Sequence, residues 1–188
     1  MFSKKIEINL EKPDDIIHLE PISDIHIGHA GFDEEHYKKR IKAISKDKNR
    51  YTFFGGDALD AITTYDKRFN PDMSLEHDID NQRLRWQNLS QKLFDIHAEQ
   101  KNEKVWGFFH GNHDYKIPQI SRAYLQNTMC TPNNLTFLGS RGVLGLEVKY
   151  NKKILAQWSI LFMHGSGGGK PERMMEQMKH NAYYDVFL

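Results

Sequence analysis

The stretch YTFFGGD, which runs from Tyr51 to Asp57, decides the fold because it couples a strand signal to a polar turn. Its first four residues are aromatic or β-branched, a composition typical of a buried strand. The two glycines allow the backbone to turn sharply, and a carboxylate follows them directly. The pattern therefore predicts a buried strand whose carboxyl end presents Asp57.

The same arrangement occurs three more times in the chain. The polar clusters that follow the other apolar runs are Asp24-Ile25-His26, Gly111-Asn112-His113-Asp114 and His164-Gly165. The strands predicted before these clusters are Ile16–Ser23, Val105–Phe109 and Ile154–Met163. Carboxylate oxygen, amide oxygen and imidazole nitrogen are the donors that hold hard or borderline divalent metals, so the clusters together predict a metal site.

Helical patterns lie between and after the predicted strands. In Glu34–Asn49, the apolar face consists of Tyr37, Ile41 and Ile44. In Asn81–Gln100, the longest pattern, the predicted buried stripe consists of Leu84, Leu89, Leu93 and Ile96. Shorter helices are predicted at Ile117–Asn127 and Pro171–His180, and a loop insertion near the site at Tyr65–Asp78.

The order strand, helix, strand, helix, strand predicts a parallel α/β arrangement. Asp24 and Asp57 lie about one βαβ unit apart, which takes roughly 30 residues. Because parallel strands end at the same edge, we expect Asp24, Asp57 and Asn112 to meet where open α/β sheets bind ligands. The strands predicted in the later part of the chain are Leu135–Leu138, Gly142–Tyr150 and Ile154–Met163, the last two as a hairpin.

Composition narrows the class of protein. The chain has 188 residues, enough for one domain, and a formal net charge of +1, so no strong field draws it to nucleic acid or to an anionic membrane. Cys130 is the only cysteine, which excludes an internal disulfide. No apolar stretch approaches the roughly 20 residues of a membrane helix, and we expect a cytoplasmic protein without membrane contact.

The order and spacing of the four clusters resemble those of the calcineurin-like metallophosphoesterase superfamily. The resemblance implies an α/β fold with a two-sheet β-sandwich core flanked by helices, arranged αββα. It also implies a metal-dependent phosphoesterase that hydrolyses a phosphodiester or a phosphomonoester, with a metal-bound hydroxide as the nucleophile. Two divalent metal ions are expected, and ligation by Asp, Asn and His suits Mn, Fe or Zn.

The resemblance also assigns roles to individual residues. The implied metal ligands are Asp24 and His26 for the first ion, Asp57 for both ions, and Asn112 and His164 for the second. His113 matches the catalytic histidine that stabilises a phosphoryl oxygen or protonates the leaving group. Asp114 matches the carboxylate that orients that imidazole.

One motif of the superfamily is missing from this sequence. A Gly-His-x-His turn should follow one further strand, and the sequence ends at Asp185–Leu188, where that strand is predicted. We therefore expect a single domain, residues 1–188, that lacks its C-terminal end and has one protein ligand fewer at each ion.

Two functions are compatible with these residues. A phosphoesterase could act on nucleic acid, a nucleotide, another phosphomonoester or a phosphoprotein, since the clusters are common to all of these. The alternative is a non-catalytic protein-binding scaffold on the same fold. The missing turn favours the scaffold, whereas the presence of His113 favours the enzyme.

Several neighbours of the clusters have two interpretations. Asp60 could orient a metal ligand or cap a following helix. The residues that could form a basic rim for a phosphate-bearing substrate are Lys67, Arg68, Lys116 and Arg122. A solvated surface explains any one of these cations more simply. His110 is predicted to be a hydrogen-bonded core residue or to support a metal ligand, and His97 to be a surface or packing residue.

Overall fold

The computed structural model describes residues 2–99, 103–115, 122–165 and 186–187, which form a mixed α/β structure with two small sheets and helices. The strands are β1 (Phe2–Asn9), β2 (His18–Leu19), β3 (Arg50–Phe54), β4 (Val105–Phe108), β5 (Arg141–Tyr150), β6 (Lys153–Met163) and β7 (Val186–Phe187). The helices are α1 (Glu34–Lys46), α2 (Ile79–Glu99), α3 (Asn112–Tyr115) and α4 (Arg122–Leu125). A π-helical turn at Gln126–Cys130 and a short 3-10 helix at Thr131–Asn133 follow α4.

The three-stranded sheet has the order β2-β3-β4, and both of its pairings are parallel, as the alternation of strands and helices predicted. The predicted strand Ile16–Ser23 is too long, since regular pairing is confined to β2. Pro21 lies in this segment and has no N–H to donate. The chain nevertheless stays beside β3, because the Asp24 N–H donates to the Gly56 carbonyl at 3.0 Å. Asp24 is therefore delivered to the carboxyl end of this sheet.

The four-stranded sheet has the order β1-β5-β6-β7, with an antiparallel β5–β6 pair and two parallel pairs. The predicted hairpin is confirmed, and Tyr150 pairs with Lys153 across a two-residue turn. Asn151 and Lys152 form this turn with φ of 49° and 65°, as a type I′ turn requires. The strand predicted at Leu135–Leu138 is absent from the described strands, and this segment makes an isolated bridge to β4.

Two apolar clusters form the core. One draws on both sheets and includes Ile6, Ile8, Tyr51, Phe53, Trp106, Leu144, Leu146, Val148, Ile160 and Phe162. The other packs α1 and α2 against β3 and β4 and includes Tyr37, Ile41, Ile44, Phe54, Trp86, Leu93, Phe94 and Phe108. Strands β3 and β4 thus contribute side chains to both clusters, which explains why their sequences are apolar without alternation.

The buried face of α1 is the predicted one, whereas the predicted stripe of α2 is confirmed at Leu93 but not at Leu84. Leu84 is 46% exposed. The buried side chains of α2 are Gln82, Trp86, Ser90, Leu93, Phe94 and His97. The polar members have hydrogen-bond partners inside the protein: the Ser90 and Tyr37 hydroxyls are 2.6 Å apart, and His97 Nδ1 accepts the Val105 N–H at 3.3 Å. These hydrogen bonds offset the cost of burying polar groups. A prediction from hydrophobic periodicity does not take them into account.

Some predicted elements fall outside the described residues. The helix predicted at Pro171–His180 lies there entirely. The same holds for residues 117–121 of the predicted helix Ile117–Asn127, whose remaining residues are helical. The strand predicted within Asp185–Leu188 is confirmed at β7, which pairs with β6. Among the helices that the structure describes, none combines the length and apolar character that a bilayer span requires.

The hairpin turn gives a direct test of this backbone. We expect Lys152→Gly to raise the free energy of unfolding by about 0.5–1 kcal/mol, because glycine adopts a positive φ without steric cost. The matched control is Lys153→Gly, one residue later in β6, which should lower it by about 0.5–1 kcal/mol. Equilibrium urea unfolding measures both changes, and a loss of stability in Lys152→Gly would contradict the turn geometry.

Candidate metal centre

The candidate ligands lie where strands of the two sheets end. Asp57 follows β3 after the two glycines, and His164 directly follows β6. The main chain joins the first two clusters: the Asp24 N–H donates to the Gly56 carbonyl, and the His26 N–H to the Asp57 carbonyl, both at 3.0 Å. The loops that carry the clusters are therefore fixed to one another by backbone hydrogen bonds.

Two glycines allow these loops to approach closely. A Cβ atom added to Gly111 would lie 1.9 Å from Asp57 Oδ1. A Cβ atom added to Gly56 would lie 2.5 Å from the Gly111 nitrogen and 2.7 Å from His164 Nδ1, and Gly56 also has a φ of 103°. Side chains at these positions would push the clusters apart, so the glycines are needed for the convergence of the site.

The Asp57 carboxylate is the centre of the site and is only 3% exposed. Its Oδ1 accepts the His113 N–H at 2.8 Å. Its Oδ2 lies 3.3 Å from His164 Nε2 and 3.9 Å from His26 Nε2. Burial alone would raise the pKa of Asp57, but His164 and the His113 N–H outweigh it and lower that pKa overall. One carboxylate oxygen thus faces two imidazoles from different parts of the chain.

His164 is oriented for ligation through Nε2. Its Nδ1–H donates to the Gly55 carbonyl at 2.9 Å, which leaves Nε2 facing Asp57. Burial alone would lower the pKa of His164, but the Asp57 carboxylate and the Gly55 carbonyl outweigh it and raise that pKa to about 9. The site therefore stabilises positive charge at the position of Nε2.

Asp24 and His26 form the second side of the cluster. Donor atoms of Asp24, His26 and Asp57 all lie within 4.8 Å of one another. The Asp24 side chain is exposed, and its Oδ2 accepts the Ser23 hydroxyl at 2.5 Å. His26 Nδ1 lies 3.6 Å from Asp60 Oδ1, and this carboxylate, with Asp57 and Asp24, raises the pKa of His26 despite its partial burial.

His113 lies at the same cluster, but the predicted orienting residue is wrong. Its Nδ1–H donates to the Asp60 backbone carbonyl at 2.7 Å, and Asp60 Oδ1 lies 3.7 Å from the same nitrogen. Asp114 instead accepts the backbone N–H of Gly111 at 3.0 Å and of Leu59 at 3.3 Å. Burial raises the pKa of Asp114 to about 6. Asp114 therefore fixes two loops of the site, and Asp60 orients His113.

Asn112 begins α3 and lies between two residues that contact Asp57. Gly111 packs against the Asp57 carboxylate, and the His113 N–H donates to it. The structure thus places Asn112 in a segment that packs on Asp57. His110, in contrast, stacks on Tyr115 with ring centroids 5.0 Å apart, which agrees with its prediction as a core residue.

Sequence reasoning left Asp60 unresolved. The next described helix begins only at Ile79, so Asp60 does not cap a helix. Asp60 is 1% exposed, and within the described residues neither carboxylate oxygen accepts a hydrogen bond. A signal was available in its spacing, three residues after Asp57, but that spacing alone fits many turns.

Two further residues at the site were missed or undervalued. Gln82 of α2 is fully buried; its Oε1 accepts the Ala61 N–H at 3.0 Å and its Nε2 donates to the Glu76 carbonyl at 2.6 Å. Arg68 Nη1 lies 3.1 Å from His113 Nε2. Lys67 is exposed, and Lys116 and the side chain of Arg122 lie outside what the structure describes.

Backbone strain is concentrated at these residues. Asp24, His26 and Asp57 have φ values of 53°, 50° and 49°, and Ala61, directly after Asp60, has 52°. A non-glycine residue in this region costs on the order of 1–3 kcal/mol and persists only where the surroundings hold it. Such strain at three candidate ligands is characteristic of a functional site.

The donor set fits divalent cations. Ligand atoms that share one Zn²⁺ at about 2.0–2.2 Å are themselves roughly 3–3.5 Å apart. Asp57 Oδ2 and His164 Nε2 are separated by 3.3 Å. A metal-binding histidine usually donates its other N–H to a carbonyl or carboxylate, as His164 does. The Asp60 carboxylate, which accepts no hydrogen bond within the described residues, adds negative charge that favours a cation nearby.

The close approach of Gly111 to Asp57 can be tested by mutation. We expect Gly111→Ala to lower the free energy of unfolding by about 1–3 kcal/mol, because the added methyl group overlaps a buried carboxylate. Gly145→Ala is the control, since its Cβ would meet its nearest neighbour, the Lys4 carbonyl oxygen, at 4.0 Å. Urea unfolding compares the two, and equal stabilities would contradict the packing described here.

Comparison of the chain with protein-family models gives no match, and a search of curated proteins likewise finds no significant match. The assignment of a function therefore depends on the residues and distances described above.

Proposed function

We propose that this chain is a metal-dependent phosphoesterase that hydrolyses a phosphodiester or a phosphomonoester at the site around Asp57. The observation that carries the proposal is the position of the Asp57 carboxylate. Its Oδ2 faces both His26 and His164, and its Oδ1 accepts the His113 N–H. Three separate segments meet at one buried carboxylate, as a ligand that bridges two cations requires.

The proposed ligands divide into two sets around Asp57. Asp24 and His26 have donor atoms within 4.8 Å of one in Asp57, His164 Nε2 lies 3.3 Å from Asp57 Oδ2, and Asn112 follows Gly111, which packs on Asp57. Two divalent cations would supply positive charge for the phosphoryl oxygens and lower the pKa of water. The protein's own contribution is to hold these donors in place and to exclude water behind Asp57.

His113 has the orientation that a proton donor or a phosphoryl-oxygen ligand needs. Because Nδ1–H donates to the Asp60 carbonyl, Nε2 is the nitrogen that is left to contact other groups, and it lies 3.1 Å from Arg68 Nη1. In the proposed reaction, the doubly protonated ring donates its Nε2–H to a phosphoryl oxygen or transfers that proton to the leaving group. Asp60 keeps the ring in place, which Asp114 was expected to do.

The fold also supports the proposal. An apolar cluster with members from both sheets, and helices α1 and α2 packed against β3 and β4, are features of the proposed αββα sandwich. In such a domain, the carboxyl ends of parallel strands carry the ligands. We accordingly propose a single metallophosphoesterase domain over residues 1–188.

Metal binding tests the proposed bridging role. We expect the wild-type chain to bind two Mn²⁺ ions, and Asp57→Asn to weaken both by at least about a hundredfold, because the amide removes the shared charge. The control is Asp72→Asn, an exposed aspartate in the neighbouring loop, which should bind Mn²⁺ as the wild type does. Isothermal titration calorimetry measures stoichiometry and affinity, and unchanged binding by Asp57→Asn would refute the site.

Activity tests the reaction itself. With Mn²⁺ bound, we expect release of nitrophenol from a bis-nitrophenyl phosphodiester or from a nitrophenyl phosphomonoester. His113→Ala should reduce kcat by roughly 10²–10⁴-fold with unchanged Mn²⁺ affinity, because it removes an acid–base group and no ligand. His36→Ala, at an exposed position of α1, is the control. Bound metal without turnover of either ester would favour the non-catalytic scaffold instead.

A further inference from the structure

The loop between Tyr65 and Asp78 brings a guanidinium to the candidate site. This segment, which we call the Arg68 loop, is fastened to the chain that follows His26. The Ala30 N–H donates to the Met73 carbonyl at 2.7 Å, and the Leu75 N–H donates to the Gly28 carbonyl at 2.8 Å. The loop is therefore tied to the same backbone that carries the first candidate ligands.

The buried side chain of Gln82 also links the Arg68 loop to the segments that carry His26 and Asp60. Its side chain links Ala61, just after Asp60, to Glu76 of the Arg68 loop. It packs so closely on Gly28 that a Cβ there would lie 2.5 Å from Gln82 Nε2. One buried amide thus fixes the Arg68 loop relative to the segments that carry His26 and Asp60.

Within the loop, Asp66 holds the guanidinium in one orientation. Asp66 Oδ1 accepts the Arg68 backbone N–H at 2.9 Å and the Nε–H at 3.0 Å, and Oδ2 accepts a hydrogen of Nη2 at 2.6 Å. The two side-chain bonds form the bidentate pair that suits an arginine and a carboxylate. Arg68 is therefore pre-oriented, and its side chain is only 28% exposed.

The remaining side of the guanidinium faces His113. Arg68 Nη1 lies 3.1 Å from His113 Nε2, and this nitrogen accepts because Nδ1 carries the hydrogen that bonds to Asp60. An arginine has five N–H donors. After the bonds to Asp66 and His113, two of these hydrogens have no acceptor among the described residues. They are available to an anion that approaches His113.

We infer that Arg68 binds the phosphoryl oxygens of the substrate beside the His113 ring, an inference that rests on the proposed phosphoesterase function. A tetrahedral oxyanion placed between the two side chains takes N–H bonds from the guanidinium and separates it from the imidazole. The planar donor fork of arginine matches phosphate better than the point charge of lysine. Arg68 is thus a substrate-binding residue, and Asp66 is its positioning residue.

Inorganic phosphate is the probe that tests this role without turnover. Equilibrium dialysis with radiolabelled phosphate, with and without Mn²⁺, should show Arg68→Ala binding phosphate at least about tenfold more weakly than the wild type. Arg68→Lys should lie between them. Lys67→Ala removes the same charge from the adjacent exposed position and should change phosphate affinity less than about twofold, because surface charges contribute little. Mn²⁺ affinity should be the same in all four proteins.

Kinetics supply the second readout. In Arg68→Ala, we expect KM for the phosphate ester to rise by about tenfold or more, and added guanidinium ion to restore part of the loss, which it should not do in Lys67→Ala. Asp66→Asn should also raise KM, because the carboxylate that orients the Arg68 guanidinium is lost. Phosphate affinity unchanged in both Arg68 variants, with Mn²⁺ still bound, overturns the inference, as does a wild type that binds no phosphate.

The two proposals can fail separately. If the wild type binds phosphate through Arg68 but hydrolyses neither ester, the proposed activity is refuted. The assignment of Arg68 as an anion-binding residue then still stands. If the protein hydrolyses an ester but Arg68→Ala changes neither KM nor phosphate affinity, the proposed activity stands and the role of Arg68 is refuted.

Discussion

The burial of the Asp57 carboxylate constrains everything around it, because a charge removed from water needs partners in fixed positions. Its Oδ1 is satisfied by the His113 N–H, and its Oδ2 lies between the imidazoles of His26 and His164. These partners come from three loops that are far apart in the sequence. The loops can meet at the Asp57 carboxylate only because Gly56 and Gly111 carry no side chain.

Strain and packing act together at this site. The candidate ligands Asp24, His26 and Asp57 adopt positive φ values that glycine tolerates better. The surrounding contacts hold them there: main-chain bonds between the first two loops, and the Asp114 carboxylate on the Gly111 and Leu59 N–H groups. The strained backbone lowers the stability of the fold, and the aromatic core, where Trp86 and neighbouring rings are fully buried, offsets that cost. This division suits a site whose geometry matters more than its own stability.

Much of the fold was accessible from the sequence, because strands and turn residues are local signals. The YTFFGGD stretch predicted a strand and a turn, and β3 ends at the residue before Gly55. The hairpin turn and the apolar face of α1 were equally local. The buried face of α2 was predicted only in part, because Gln82 and Ser90 are buried for their hydrogen bonds, and their partners lie on other elements.

For the candidate site as well, some features could be predicted from local sequence and others depend on tertiary contacts. Residues beside glycine-rich turns, such as Asp57 and His113, could be singled out, and the structure brings them together. The position of the His113 ring could not be predicted, since Asp114 is adjacent in sequence whereas Asp60, its actual neighbour, arrives through tertiary packing. Arg68 presented only a basic side chain in a polar loop. Its significance depends on a contact across 45 residues, which no local pattern encodes.

The pairing of β1 has a consequence for how the protein forms during translation. Phe2 pairs with Gly142, and the whole of β1 lies parallel to β5, so β1 is synthesised well before its partner strand. At about 5–20 residues per second, the interval between them is roughly 7–30 s. During that interval the backbone N–H and C=O groups of β1 have no β5 to pair with. The unpaired edge of β1 can therefore pair with strands of other chains throughout this interval.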